Sequence, residues 1–549
     1  MLAVTIKTIF NQHKCSMFSN RIRSSVIETT TTSPLFRLMA SVANLLDMKN
    51  LTLISIFMTL MAVIQLVDPD YFWHLKAGEY IFTHGSLPGG DIFSYTMNGK
   101  PWILHEWLFE VVLYALFMWM GPVGVKLLTA GLATITIVIT YSLLRRIAWS
   151  PSVALTLLMF AFVPFIMGIS PRPQLVTYMF FISYLYILLN YKYFKSSRNL
   201  FALPLIMLIW VNAHAGYMMG LILVGMFVVC EWGNYWNSFS RNVEERNKLI
   251  RLTQIAILTM VVSAINPWFI AHWLYPFQVM ASESSQVISE WQSPNFHEWT
   301  NRLFLVLVFM FFIATIYKER KPDLTEVLIP IVLMTLGFFS VRNIPLATLT
   351  LTPFIAKAIS QEQVTWMLNI WRSTGLNHLY KSSIGGGKQL GRGEVLLNWL
   401  LLFVITIGLY SWYPNYESSN EKADALIPIK AADFVSNVGI SGRMFNTYHF
   451  GGYLIYRLYP LQHVFIDGRA DMYGDRFFNE YQKIINVGSG WKESFDKYKI
   501  DYVITGKNEP LSQLLQSNEE FRLVYYDQYN AVLVRNQPDF YKIIKKYGH

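Results

Sequence analysis

The feature that most constrains this chain is the recurrence of uncharged apolar runs. They occupy 51–67, 151–169, 174–191, 200–230, 252–271, 303–317, 327–341, 344–356 and 395–412, and a further run at 123–144 carries only Lys126. A run of roughly 20 such residues crosses the hydrocarbon of a bilayer as a helix, because no water is there to satisfy an open backbone. The 200–230 run is too long for one crossing and breaks at Asn212-Ala213-His214-Ala215-Gly216, so it reads as two short helices. The total comes to about eleven spans. The expected fold class is therefore an α-helical polytopic membrane protein. Composition agrees: 53% of residues are hydrophobic, 15% are charged, and mean hydropathy is +0.33. This excludes an ordinary soluble enzyme.

The net charge of +10 does not imply nucleic acid as a partner, because the basic residues fall in short loops between apolar runs. With the N-terminus inside, the inner loops hold Arg145 and Arg146; Lys192, Lys195 and Arg198; Arg241, Arg246 and Lys248; Lys318, Arg320 and Lys321; and Lys381, Lys388 and Arg392. The outer loops keep little more than Arg172 and Arg342, as the positive-inside rule requires. The scheme holds if 105–120, with two glutamates and two tryptophans, lies along the outer leaflet instead of spanning. The expected location is the cell (plasma) membrane, multi-pass, with an extracytoplasmic C-terminal domain. Residues 1–48 read as a disordered cytoplasmic tail, 49–412 as the membrane domain with an outer loop at 68–122, and 413–549 as an extracytoplasmic soluble α/β domain. Strand-like runs at 443–445, 463–467, 501–504, 522–526 and 531–535, with a helix at 448–459, support the last. Cys15 and Cys230 are too far apart in context to predict a disulfide or a thiolate metal site. Gly385-Gly386-Gly387 lacks the Gly-Lys-Ser/Thr ending of a phosphate loop, so no nucleotide site is expected.

The chemistry concentrates just after the first apolar run. Residues 68–107 bring Asp68, Asp70, Glu79, Asp91 and Glu106 together with His74, His84 and His105 and with three tryptophans, all against a membrane boundary. Asp68-Pro69 predicts a helix start, with Asp as cap and Pro in the first turn, and His84-Gly85 predicts its end. Asp70 and His74 then share a face, where they can hold a proton, orient a hydroxyl or bind a metal. Asp68 can equally be a plain cap and Asp70 a partner of the helix dipole. His105-Glu106 can act in catalysis or only start the next helix. Polar groups from separate spans converge on the same face: Ser170-Pro171-Arg172-Pro173-Gln174, His214 in the helix break, Trp291 and Gln292, and Arg342-Asn343. Arg342 and Arg172 are candidate anchors for a phosphate, with a snorkelling arginine as the plainer reading of Arg342. Trp291 and Gln292 can stack on and bond a sugar or belong to an aromatic belt. His74 and His214 are ligand candidates or packed structural histidines. Asp68, Asp70, His74 and Glu106 could together hold a divalent metal ion, although no spacing demands a cofactor. Asp467-Gly468-Arg469 reads either as a ligand loop at a strand end or as a turn with an internal ion pair.

An outward-facing site at the lipid boundary, rich in acids and with isolated arginines, fits a lipid-linked substrate whose phosphate lies at the interface. Here the motifs carry a resemblance. D-P-D-x-x-W-H-L-x-x-G-E-x-I from Asp68, W-x-x-H-E-W-L from Trp102, S-P-R-P-Q at 170–174, N-A-H-A-G at 212–216, E-W-Q-S-P-N at 290–295 and S-V-R-N-I-P at 340–345 resemble the bacterial and archaeal GT-C-type integral membrane glycosyltransferases. So does G-G-Y-L-I-Y-R-L-Y-P followed by V-F-I-D-G-R-A-D-M-Y-G in the tail, and the resemblance covers residues 50–540. It is distantly similar to protein mannosyltransferases, aminoarabinose transferases and oligosaccharyltransferases. The resemblance implies an inverting transfer from a polyprenyl-phosphate sugar donor to a glycan, lipid or protein acceptor. It makes Asp70 the catalytic acid of the first loop, with Asp68 as its alternative, and Glu106 or Asp91 as a second acid. Asn446 to Tyr453 lacks the tryptophan pair of the oligosaccharyltransferase tail motif, so recognition of a peptide sequon does not follow. The competing readings are a transporter of lipid-linked saccharides and a non-catalytic assembly protein.

Overall fold

In the computed structural model, the residues described are 68–148, 151–166, 169–238, 241–283, 288–318, 320–359 and 427–549. The chain divides into two units, and the one formed by Val63–Gly385 with Tyr416–His549 holds all of them. The tail 1–48, the apolar runs 51–67 and 395–412 and the inner loop 360–393 lie outside the described residues.

The first described element is helix α1 (Pro69–His84), with the predicted ends. Asp68 caps it by accepting a hydrogen bond from the Asp70 amide at 3.0 Å, Pro69 sits in the first turn, and Gly85 closes it in the left-handed region at φ 66°. Helix α2 (Trp107–Met120) packs back against α1. The two backbones approach closely at Gly78, where a Cβ would lie 2.1 Å from the Glu110 carbonyl oxygen. At 14 residues α2 is about 21 Å long, shorter than a bilayer's hydrocarbon.

The chain continues through α3 (Pro122–Ile147), α4 (Pro151–Ile166), α5 (Gln174–Phe194), α6 (Ala202–Trp210), α7 (Tyr217–Asn237), α8 (Val243–Val262), α9 (Ala271–Ala281), α10 (Trp299–Ile316), α11 (Leu324–Phe339) and α12 (Ile344–Ala358). Among the described residues, α3, α5, α7 and α10 are the four helices long and apolar enough to cross a membrane. The long apolar run does break at 211–216, between α6 and α7. The 252–271 run is shifted in the structure: α8 begins at Val243, capped by Asn242, because the charged residues before 252 are good helix formers. Helix α12 is buried along nearly its whole length and packs against α4, α10 and α11.

Helices α5, α7 and α11 are tied at one end by ions. Lys192 pairs with Glu231 and, at 2.9 Å, with Asp323, whose carboxylate caps α11 in a reciprocal arrangement with Glu326. Their other ends carry Gln174, the 211–216 turn and Ser340–Asn343, so one end is a charge clamp and the other gathers the candidate site.

The C-terminal part contains α13 (Ile429–Val438), β1 (Met444–Asn446), α14 (Gly451–Leu458), α15 (Asp475–Ile485), α16 (Trp491–Lys497), β2 (Tyr502–Gly506), α17 (Pro510–Gln516), β3 (Phe521–Tyr526), β4 (Asn530–Arg535) and α18 (Tyr541–Tyr547). The strands form one sheet in the order β1-β2-β4-β3, with β1 parallel to β2 and the other pairs antiparallel. The predicted strand at 463–467 is not one. The Asn446 side chain takes the Phe465 amide and the Ile466 carbonyl, both at 2.8 Å, and only a single parallel bridge to Ser94 remains. Aromatic residues including Phe445, Phe465, Phe477 and Tyr481 fill the core beside this sheet. Helix α14 rests on the start of α1: Tyr453 meets Phe72 edge-on at 4.9 Å, and a Cβ at Gly452 would lie 2.1 Å from the Pro69 carbonyl oxygen.

Candidate functional site

The helix start that the sequence marks at Asp68-Pro69 also places two carboxylates side by side. Arg172, in the Ser-Pro-Arg-Pro turn before α5, reaches both: its Nε is 2.6 Å from Asp68 Oδ2 and its terminal nitrogen 3.1 Å from Asp70 Oδ2. Its other terminal nitrogen pairs with Glu290 Oε1 at 2.8 Å. The guanidinium expected to meet a phosphate is thus distributed over three carboxylates. Burial pushes the Asp70 carboxyl up to about 6, against the pull of Arg172 and with help from the neighbouring charges of Asp68 and Glu290. Asp70 therefore exchanges its proton close to neutral pH, as a general base must. The backbone of Gly468 closes over it, with the position of a Cβ there only 1.9 Å from Asp70 Oδ1, and Tyr448 holds the Gly468 carbonyl at 3.0 Å.

A second cluster lies one turn further along α1. His74 Nδ1 is 2.9 Å from Glu110 Oε1 and 3.5 Å from Glu106 Oε2. Glu106 Oε1 faces His105 Nε2 at 3.2 Å and His214 Nε2 at 3.6 Å. Tautomers follow from the other ring nitrogens. His214 Nδ1 accepts from the Gly216 amide at 3.0 Å, which leaves Nε2 as the nitrogen that faces Glu106. His105 Nδ1 donates to the Ile103 carbonyl at 3.2 Å. Burial would raise the Glu106 carboxyl, but the surrounding imidazoles, His105 foremost, outweigh it and hold the group far below its ordinary range. Burial alone would lower His105, and the Glu106 charge reverses that and raises it. His74 is pushed down to about 4 and His214 to about 3, both chiefly by burial, so both are neutral at physiological pH. Glu110, fully buried and beside the Glu106 charge, is raised well above the usual carboxylate range.

Beside the Arg172 group lies a cavity of about 200 Å3 whose lining includes Asp68, Gln174, Tyr178, Glu290, Asn301 and Arg342. Arg342 lies 5.0 Å over the Trp291 ring, and its terminal nitrogen is 3.4 Å from His214 Nε2. Among the described residues it has no carboxylate within ion-pair distance, unlike Arg172.

Other predicted residues lie in backbone-holding contacts. Asp91 is fully buried and accepts from the Phe93 and Ser94 amides and the Ser94 hydroxyl, and Arg469 pairs with it at 2.8 Å, so it organises a turn. Asn343 donates to the Leu336 carbonyl at 3.3 Å, and the Gln292 carbonyl accepts from the Val341 amide at 3.0 Å, joining the two loops under Arg342. Asp467-Gly468-Arg469 is the turn with an internal pair: Arg469 grips Asp467 by two bonds at 2.7 and 2.6 Å. Of the four suggested metal ligands, Asp68 and Asp70 belong to the Arg172 group, and His74 and Glu106 to the other. Sequence reading missed Glu110, although its spacing of four from Glu106 places both on one helical face. It also missed that Glu290 joins the Arg172 clamp and that Gly468 and Tyr448 come from the C-terminal part to Asp70. The separation in sequence left no local signal for either.

No protein-family profile matches the chain, and no curated protein sequence does. Solved structures to which the chain is similar include an oligosaccharyltransferase from Archaeoglobus fulgidus tethered to an acceptor peptide containing the NVT sequon, at 12% identity and a TM-score of 0.46, covering 86% of this chain and 70% of that one. ArnT from Cupriavidus metallidurans bound to undecaprenyl phosphate is similar at 13% identity and a TM-score of 0.47, covering 91% of this chain and 98% of that one.

Proposed function

We propose that the chain is a membrane glycosyltransferase that moves a sugar from a polyprenyl-phosphate donor to a hydroxyl acceptor on the extracytoplasmic face, with inversion at the anomeric carbon. The observation that carries the reading is Asp70: a carboxylate pushed up to about 6 and held by Arg172, whose other partners Asp68 and Glu290 line a cavity together with Arg342. In the proposed step Asp70 takes the acceptor's proton as its oxygen attacks the anomeric carbon. The bond from that carbon to the phosphate oxygen breaks, and the polyprenyl phosphate leaves with the electron pair. Arg342 faces the leaving phosphate, where charge develops and where a preorganised cation is most effective. Asp68, held as a helix cap and by Arg172, positions Asp70. Trp291 supports the Arg342 guanidinium from below.

The test compares wild type with Asp70→Asn in membranes supplied with a panel of radiolabelled polyprenyl-phosphate sugars, reading free polyprenyl phosphate. Release by wild type alone supports the reading. Equal release by both removes Asp70 from the chemistry, and no release with any donor removes the reaction class.

A further inference from the structure

We infer that His74, Glu106 and Glu110 form a binding site for one divalent transition-metal ion of the zinc type, built between α1 and α2. Three observations carry this. The candidate ligand atoms all lie within 4.8 Å of one another, with His74 Nδ1 at 2.9 Å from Glu110 and 3.5 Å from Glu106. These separations bracket the roughly 3.3 Å between neighbouring ligands around a tetrahedral zinc ion. Second, all three side chains are more than nine-tenths buried, and Glu110 Oε2 has no hydrogen-bond partner. A buried carboxylate oxygen left without a donor is costly, and a cation held between the two glutamates removes that cost for Glu110. Third, the outer contacts already orient the ligands. Glu106 Oε1 is taken by His105 and His214, which leaves Oε2 facing His74, and carboxylates that bind metals are held in this way from behind. One imidazole with two carboxylates suits zinc or its first-row neighbours, and the imidazole disfavours magnesium.

The ion would fasten α1 to α2 and fix Glu106, which faces His214 and through it Arg342. It is a positioning site for the arginine side of the cavity, and metal content reads it independently of whether the proposed transfer occurs.

The full chain, purified in detergent, is equilibrated with zinc chloride, desalted and measured for metal by mass spectrometry, and its melting temperature is recorded with and without a chelator. Wild type is expected to retain about one ion per chain and to melt lower after chelation, whereas Glu110→Gln, close in shape, retains at least about ten-fold less and ignores the chelator. His74→Asn serves as the second variant if Glu110→Gln does not give a single monodisperse peak. Equal metal content in wild type and a folded variant overturns the site. So does a wild-type melting temperature that chelation leaves unchanged.

Discussion

At the scale of single residues, the site separates two carboxylates that the sequence places two residues apart. Asp68 gives its oxygens to a backbone amide and to Arg172, whereas Asp70 is pushed up to about 6 by burial. A general base works in its deprotonated form. The transfer rate is therefore expected to rise through about pH 6 and level off above it, and Asp70→Asn should lower the plateau by about 10²- to 10⁴-fold. A rate independent of pH between 5 and 7 would count against Asp70. Arg172 is the group that lowers Asp70, so Arg172→Gln should move the rising limb to higher pH, because the carboxylate loses its counter-charge. The same pH series on that variant measures it, and a limb that stays in place would show that Arg172 only packs.

At the scale of elements, two glycines decide how closely the C-terminal part approaches α1. At Gly468 a Cβ would fall on Asp70 Oδ1, and at Gly452 on the Pro69 carbonyl. Gly468→Ala should displace Asp70 and lower the transfer rate by roughly ten-fold or more with little change in melting temperature, since misplacing a catalytic group is felt mainly in rate. Gly452→Ala meets rigid backbone and should destabilise the chain by about 1–3 kcal/mol, read as a lower melting temperature. The reverse pattern in the two variants would show that the wrong contact has been made responsible. Elements of this kind were legible in sequence to different degrees. Helix α1 was readable at both ends because Asp68, Pro69 and Gly85 act locally. The break at 211–216 was readable because a polar cluster interrupts an apolar run. The false strand at 463–467 has the right apolar content, and what overrides it is the distant Asn446 side chain. Glu110 looked like one more charge on a surface helix, and only the packing of α2 on α1 at Gly78 shows that it faces inward.

At the scale of the whole molecule, the loop after α1 is bound to the C-terminal part by one buried arginine. Arg469 sits 4.3 Å over the Trp102 ring, grips Asp467 with two nitrogens and pairs with Asp91 through the third, and Tyr473 donates to Asp467 at 2.7 Å. Asp91 in turn holds the 93–94 backbone that bridges to Val464. This arrangement keeps Gly468 above Asp70, so stability and chemistry depend on the same ion triad. Removing the cation leaves two buried carboxylates, and Arg469→Met is expected to cost about 3–5 kcal/mol. Asp91→Asn should cost less, because Arg469 keeps Asp467 and the amide still accepts hydrogen bonds through its oxygen. Thermal melts of the two single variants and the double variant check this. The Asp91 change should have a smaller effect once Arg469 is gone, because the residues form one network. Limited proteolysis adds a structural readout: the Arg469 variant should become sensitive to cleavage in 86–104 before the helical part does, because that loop loses its anchor. Additive effects of the two substitutions, with the loop still protected, would mean that the triad is not what holds the first loop to the C-terminal part.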